Sequence, residues 1–231
     1  MKKNGFTLAE VLITLTIIGV IATMTLPALM TNTQEQQAKT ALKKGINTLT
    51  EAAQLSQAID GIDYASLTST KTDSVDPVGN PSLYALLRTR TQVDPANSGI
   101  SKHVFNGNAT ASTNYTMFFR DGTSLMYDPA ATSLAKTGAQ AANSVMADGL
   151  PYGIAVVFDT NGKKGPNLLS NCDGKLSGAN ISPEKRDSEG GTRLDEVCKK
   201  EQRVIKDQFA VRLRGGFAVP NSPAARWAFE N

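Results

Sequence analysis

Histidine is all but missing: His103 is the only one in 231 residues. A Ser-His-Asp site would have to use it, and a zinc centre rarely manages on one histidine and two cysteines. Beside Lys102 it reads as a polar loop residue. No G-x-S-x-G, H-E-x-x-H or G-x-x-x-x-G-K-[ST] run occurs. No catalytic residue, firm metal ligand or cofactor is therefore assigned, and an enzyme is not indicated. Aromatic residues make up only 6% of the chain, while Gly, Ser, Thr, Asn and Ala are plentiful, so the globular part should be one modest, loop-rich domain. Charge is nearly balanced, with 24 basic and 21 acidic side chains, and gives no bulk attraction to nucleic acid or acidic lipid.

Charge is absent altogether from Val11 to Met30, an almost unbroken apolar run interrupted only by Thr14, Thr16, Thr23 and Thr25 among polar residues, Gly19 and Pro27. Twenty helical residues span about 30 Å, the thickness of a bilayer core. Lys2 and Lys3 precede the run, so positive-inside logic keeps the N-terminus cytoplasmic and exports the remainder. A secretory signal would end in a small-residue cleavage site, and Pro27-Ala28-Leu29-Met30 is a poor one. An uncleaved signal anchor tethering a periplasmic domain is the plain alternative. Glu10 argues against it. An acid at the start of a span costs about 2–3 kcal/mol and calls for a partner. No other charge lies between Lys3 and Glu35, so that partner must come from another molecule or from a newly made N-terminus.

The run Gly5-Phe6-Thr7-Leu8-Ala9-Glu10-Val11-Leu12 resembles the processing site of type IV prepilins and type II secretion pseudopilins. The resemblance covers about the first thirty residues. It implies removal of a basic leader, residues 1–5, by a prepilin peptidase, with cleavage between Gly5 and Phe6 and N-methylation of Phe6. Glu10 then stands at the fifth mature position and Pro27 near the twenty-second, both typical of that family. Cleavage before the apolar run keeps the helix, and the freed amine of Phe6 is cationic near neutral pH. A neighbouring subunit's Glu10 can pair with it. Buried pairs add little net stability but are costly to break, so the pair suits a register device. Loss of Lys2 and Lys3 with the leader leaves 22 basic against 21 acidic side chains. Pro27 removes a backbone donor, and a kink or melted turn is expected from Thr23 to Pro27. Gly19 fits close helix packing.

The organisation expected is a leader at 1–5, a transmembrane helix and assembly segment at 6–30, an amphipathic helical stem at 31–58 and an exported domain at 59–231. Leu42, Ile46, Leu49 and Ala53 recur at helical spacing and should pack on that domain, with Lys39, Lys43, Lys44 and Glu51 on other faces and Gly45 a weak point; the three lysines read as a solvated face, the alternative being contact with lipid headgroups or another subunit. Asp60 to Asp76 and Asp94 to Ser112 read as loops. Asn80-Pro81 reads as a cap before a short helix with Leu83, Leu86 and Leu87 inward. Tyr115 to Arg120 and Thr123 to Tyr127, joined by Asp121-Gly122, predict a hairpin with a type I′ turn. Tyr152 to Phe158 reads as a strand. Gln208 to Leu213 and Phe217 to Val219, around Gly215-Gly216, read as a final hairpin. Residues 129–149 carry no firm signal. The resemblance implies an α+β, pilin-like fold: a long N-terminal helix packed on a small antiparallel sheet.

The run Asp159-Thr160-Asn161-Gly162-Lys163-Lys164-Gly165-Pro166-Asn167 resembles a D-x-N-G-x-x-x-P-N loop of pseudopilin-like proteins, with Asp207-Gln208-Phe209 as the later Asp-x-Phe element. Its structural reading is a turn held by Asp159, Gly162 and Asn167. The other reading is a calcium loop of Asp159, Asn161, Gly162, Pro166 and Asn167, opposed by Lys163 and Lys164 and by the lack of a closing Glu. Cys172 and Cys198, the only cysteines, are expected to form a disulfide on the oxidising exported side, worth about 3.5 kcal/mol by chain entropy. A metal or redox pair is the alternative. The stretch between them resembles an insertion, which favours a specialised or minor subunit. Glu196, Lys199, Lys200, Arg203, Lys206, Arg212 and Arg214 form a mostly basic segment, partly at helical spacing. It reads as solvated surface, or as a DNA patch lacking interleaved aromatics. Trp227 should pack on the sheet.

The leading function is a structural subunit of a type II secretion pseudopilus or type IV pilus, adding head to tail into an open helical filament. The alternatives are a minor subunit binding DNA or a surface ligand, and the signal-anchored periplasmic domain. The resemblance implies as partners further pilin-like subunits, prepilin peptidase, an assembly platform and its ATPase, in the lipid of the bacterial inner membrane. Nucleic acid is not an expected partner.

Overall fold

The computed structural model of the chain describes residues 7–68, 70, 72, 75, 76, 78–102, 105, 114–129, 153–172 and 203–231. The chain divides into two compact units, residues 1–37 and 38–231.

Helix α1 runs from Leu8 to Asp60. In the first unit it is exposed and apolar from Leu8 to Leu26, the stretch long and apolar enough to cross a membrane. Its threonines hide their hydroxyls in the helix: Thr14 donates to the Val11 carbonyl at 2.9 Å, Thr16 to Leu12 at 2.8 Å and Thr23 to Val20 at 2.8 Å. Such back-bonding removes the polar cost of threonine in lipid. The melted turn expected at Thr23 to Pro27 is not found, because helical backbone continues through it. Proline costs one donor here, and the neighbouring turns keep theirs.

In the second unit α1 presents Leu42, Ile46, Leu49 and Ala53 inward, all buried. The helix stops at Gly61, whose φ of 72° only glycine adopts freely and whose N–H closes on the Gln57 carbonyl at 3.1 Å. Helix α2, Leu83–Arg90, starts two residues later than Asn80-Pro81 would place it. Ser82 is the N-cap and its side chain accepts from the Ala85 N–H at 3.1 Å, a bond the preceding proline cannot make.

Among the described residues eight strands follow: β1 Val93–Ile100, β2 Tyr115–Phe119, β3 Ser124–Tyr127, β4 Ile154–Asp159, β5 Asn171–Cys172, β6 Arg203–Val204, β7 Gln208–Arg214 and β8 Phe217–Pro220. Six make one antiparallel sheet in the order β1-β2-β3-β4-β7-β8, and β5 pairs with β6. A final helix, α3 Pro223–Glu230, is capped by Ser222 with Pro223 in its first turn; it was not foreseen, although Ser222-Pro223 ahead of an amphipathic run is its start signal. The α+β, pilin-like order holds.

Two local readings change. Strand β1 occupies part of the stretch read as loop from Asp94 onward. It is a sheet edge, where Pro95 loses no ladder bond, and its register breaks between Asp94 and Gly99. Ser98 Oγ accepts the Phe118 N–H at 2.9 Å across that break. The β2–β3 turn is not type I′. Only Gly122 has positive φ, at 90°, and its N–H bonds the Phe119 carbonyl at 3.1 Å. Arg120 and Asp121 are thus the centre of a type I turn that ends in a glycine bulge.

One sheet face is a row of Met117, Leu125, Phe158 and Phe209, each no more than 1% exposed. Gly45 sits directly over it. A Cβ there would lie 2.1 Å from Phe158 Cζ, so this glycine is a contact, not a weak point. Lys39 is buried, with its Nζ 3.9 Å from the Trp227 ring centre. It is therefore not on a solvated face, and Trp227 packs against α1. Gly45→Ala gains about 1 kcal/mol of helix propensity yet overpacks a filled core at a cost of about 1–3 kcal/mol. We expect a net loss in urea denaturation of the purified chain; a gain would show that Phe158 moves aside freely.

Candidate functional site

At the head of the apolar segment, Thr7 and Glu10 form a reciprocal cap. Glu10 Oε2 accepts the Thr7 N–H at 2.8 Å and the Thr7 hydroxyl at 2.7 Å, while Thr7 Oγ1 accepts the Glu10 N–H at 3.3 Å. This is a capping box with Thr7 at N-cap and Glu10 at N3. Thr7 was missed in the sequence, although T-x-x-E ahead of an apolar run is the signal for it. The carboxylate thus has two local donors besides whatever charge it later meets, and it lies where the helix exposes its unpaired N–H groups. Gly5 and Phe6 lie outside the described residues. Pro27 lies within α1, one residue beyond the apolar stretch Leu8–Leu26.

The second cluster is built by neighbouring strands. β4 ends at Asp159 directly opposite Gln208 at the start of β7. Both are fully buried, and Gln208 Nε2 donates to Asp159 Oδ2 at 3.0 Å. Asp159 Oδ1 accepts the Asn161 N–H at 3.0 Å, the self-capped turn the sequence suggested. Gly162 has φ 62° and Asn167 φ 53°. The Asn167 amide, oriented to satisfy its donors, reaches the Gly162 carbonyl at 3.2 Å and that of Lys164 at 3.0 Å. Asp207 holds the loop from the side. Its carboxylate accepts the Asn167 N–H at 2.6 Å, the Leu168 N–H at 2.8 Å and Asn161 Nδ2 at 3.1 Å. Pro166 follows Gly165 through a cis peptide. Lys163 turns away, bonding Asn97 Oδ1 at 2.8 Å. The acid oxygens of this loop therefore face N–H donors, and no group of three or more His, Cys, Asp or Glu gathers as a metal site among the described residues.

The basic segment is described only in part. Glu196, Lys199 and Lys200 lie outside the described residues, Arg203 is in strand β6 rather than a helix, and the Lys206 N–H bonds Ser170 Oγ at 2.9 Å. Arg212 is buried and donates from Nε to Asn221 Oδ1 at 3.1 Å. His103 and Cys198 are also outside the described residues, so the Cys172–Cys198 pairing stays an expectation.

Residues 1–26 match the family described as the prokaryotic N-terminal methylation motif. The match covers this segment alone, which is similar to the prepilin-type cleavage and methylation segment of type IV pilins and pseudopilins. With the apolar helix, the motif suggests a single-pass membrane anchor. No curated protein and no solved structure matches the chain.

Asp207 is the pivot of the polar loop. Asp207→Ala leaves three donors without their acceptor and should cost about 2–4 kcal/mol in chemical denaturation, whereas Asp207→Asn, which keeps one oxygen, should cost less. Equal losses for the two variants would show that the oxygens are not what holds the loop.

Proposed function

We propose that this chain is a structural, non-enzymatic subunit of a type II secretion pseudopilus or type IV pilus. It is cut between Gly5 and Phe6 by a prepilin peptidase, N-methylated on Phe6, and added head to tail to further pilin-like subunits by an assembly platform and its ATPase. The observation that carries this reading is the methylation motif at residues 1–26 heading an exposed apolar helix with Glu10 at its first turn. Residues 6–30 anchor the chain in the inner membrane, N-terminus cytoplasmic, and the sheet-bearing part is exported.

In this role Glu10 has two successive environments. Before assembly, Thr7 supplies its hydrogen bonds at the membrane surface. In the filament the cationic amine of a neighbour's Phe6 supplies the charge. An unpaired carboxylate among packed apolar helices is costly, so subunits out of register are disfavoured. The Asp159–Asn167 loop serves as structure, because its carboxylates are already committed to N–H donors. The burial of Arg212 weakens the alternative of a DNA-binding subunit.

Intact mass and N-terminal sequence of the membrane-extracted protein test the processing. A chain beginning at N-methylated Phe6 only when the peptidase is present is expected; Met1 in both strains would reduce the span to a signal anchor. Glu10→Val should still insert yet be incorporated at least tenfold less well into sheared filaments, and normal incorporation would remove Glu10 from the assembly role.

A further inference from the structure

Within residues 38–231, a cleft of about 330 Å³ opens between α1, the end of α2 and the β2–β3 turn. Phe119 gives it half-buried aromatic surface above the buried Phe158, and Thr48 is exposed on its wall. Its charged groups are Lys44, Arg90 and Arg120 against one carboxylate, Asp121. Asp60 binds Arg90, which leaves one positive charge in excess.

These cations are unequally occupied. Lys44 meets Asp121 at 2.9 Å, but its side chain is 63% exposed, so the pair is weak and the ammonium can turn to another anion. Asp121 is held below the usual carboxylate range: partial burial opposes this, and the hydrogen bonds from Lys44 and Thr123 outweigh it. Arg90 Nε is buried without an acceptor. Arg120 is exposed and acts on Asp94 only through the field. A guanidinium left in this state is suited to a charge-assisted, two-pronged bond with an incoming carboxylate.

We propose that this cleft docks an acidic peptide segment of another protein, with a carboxylate on Arg120 and Lys44 and an adjacent bulky apolar side chain against Phe119. An inorganic anion would use the cations and leave the aromatic surface wet. An apolar peptide would cover Phe119 and bury the cations unpaired. Gly45 lines the cleft and lets the Phe158 ring lie against α1, so that ring is packed in the core and Phe119 is the one offered to the peptide. The site does not depend on whether the chain forms filaments.

Fluorescence anisotropy can test this with the full chain in nonionic detergent and a labelled Gly-Asp-Phe-Glu-Leu-Gly peptide. Its Asn/Gln counterpart, phenylacetate and inorganic phosphate serve as comparisons. Saturable binding is expected for the acidic peptide, at least tenfold weaker for the amide counterpart. Arg120→Glu and Thr48→Trp should each weaken it at least tenfold while melting like the parent chain, and Lys164→Glu, a charge change elsewhere, should alter it less than twofold. Three results would overturn the proposal: no saturable binding, equal binding of the amide counterpart, or displacement by phenylacetate or phosphate at the peptide's own concentration.

Discussion

The approach of α1 to the sheet is set by one contact, the ring of Phe158 against the bare backbone of Gly45. A sheet and a helix normally keep their distance because side chains from both fill the gap. Here one partner contributes nothing at the crossing, so Met117, Leu125, Phe158 and Phe209 form an unbroken floor beneath Leu42, Ile46 and Leu49. Core packing at crystal-like density tolerates few voids and little extra volume, so the dimension fixed at Gly45 propagates to both sides of it. On one side it seats the buried helix face. On the other it leaves the cleft bordered by Lys44 and Arg120. The cost of a glycine in a helix interior, up to about 1 kcal/mol, is offset by that close contact.

The N-terminal unit follows a different logic. Nothing within it covers the side chains of Leu8 to Leu26, so its stability as a helix must come from its own backbone bonds and from an apolar surround. The polar side chains of that apolar stretch are accordingly answered locally. Thr14, Thr16 and Thr23 return their hydroxyls to the preceding turn. Glu10 and Thr7 answer one another across the first turn. In hydrocarbon an unanswered donor or acceptor costs several kcal/mol, whereas the same group at a soluble surface costs almost nothing.

This difference explains how much could be read from the sequence. The apolar run and the inward stripe Leu42, Ile46, Leu49, Ala53 are periodic, and periodicity is what burial writes most clearly into a chain. The hairpin at Asp121-Gly122 was visible as a turn, but its type depends on which residue takes positive φ, and here Gly122 alone does. Strand β1 was hidden because an edge tolerates Pro95 and a broken register, which are also the marks of a loop. Lys39 reads as solvent-exposed in any window of sequence; only the arrival of Trp227 from the far end of the chain makes it a buried cation–π partner. Asp207 was noticed as part of an Asp-x-Phe element, yet its partners lie some forty positions earlier, at Asn161, Asn167 and Leu168.

The polar loop shows why a motif alone does not decide between a cation and a hydrogen-bond network. A D-x-N-G run supplies oxygens at the spacing an oxygen-ligated ion would use. Which way those oxygens face depends on the donors nearby. In this chain β7 runs antiparallel to β4, so Gln208 lands opposite Asp159 and Asp207 lands beside the turn. Each carboxylate then meets amide N–H groups at 2.6–3.1 Å. An ion entering there would have to replace several charge-assisted bonds, each worth about 1.5–3 kcal/mol. The strand register, which no local motif encodes, is thus what turns a ligand-like sequence into a fastening between β4 and β7.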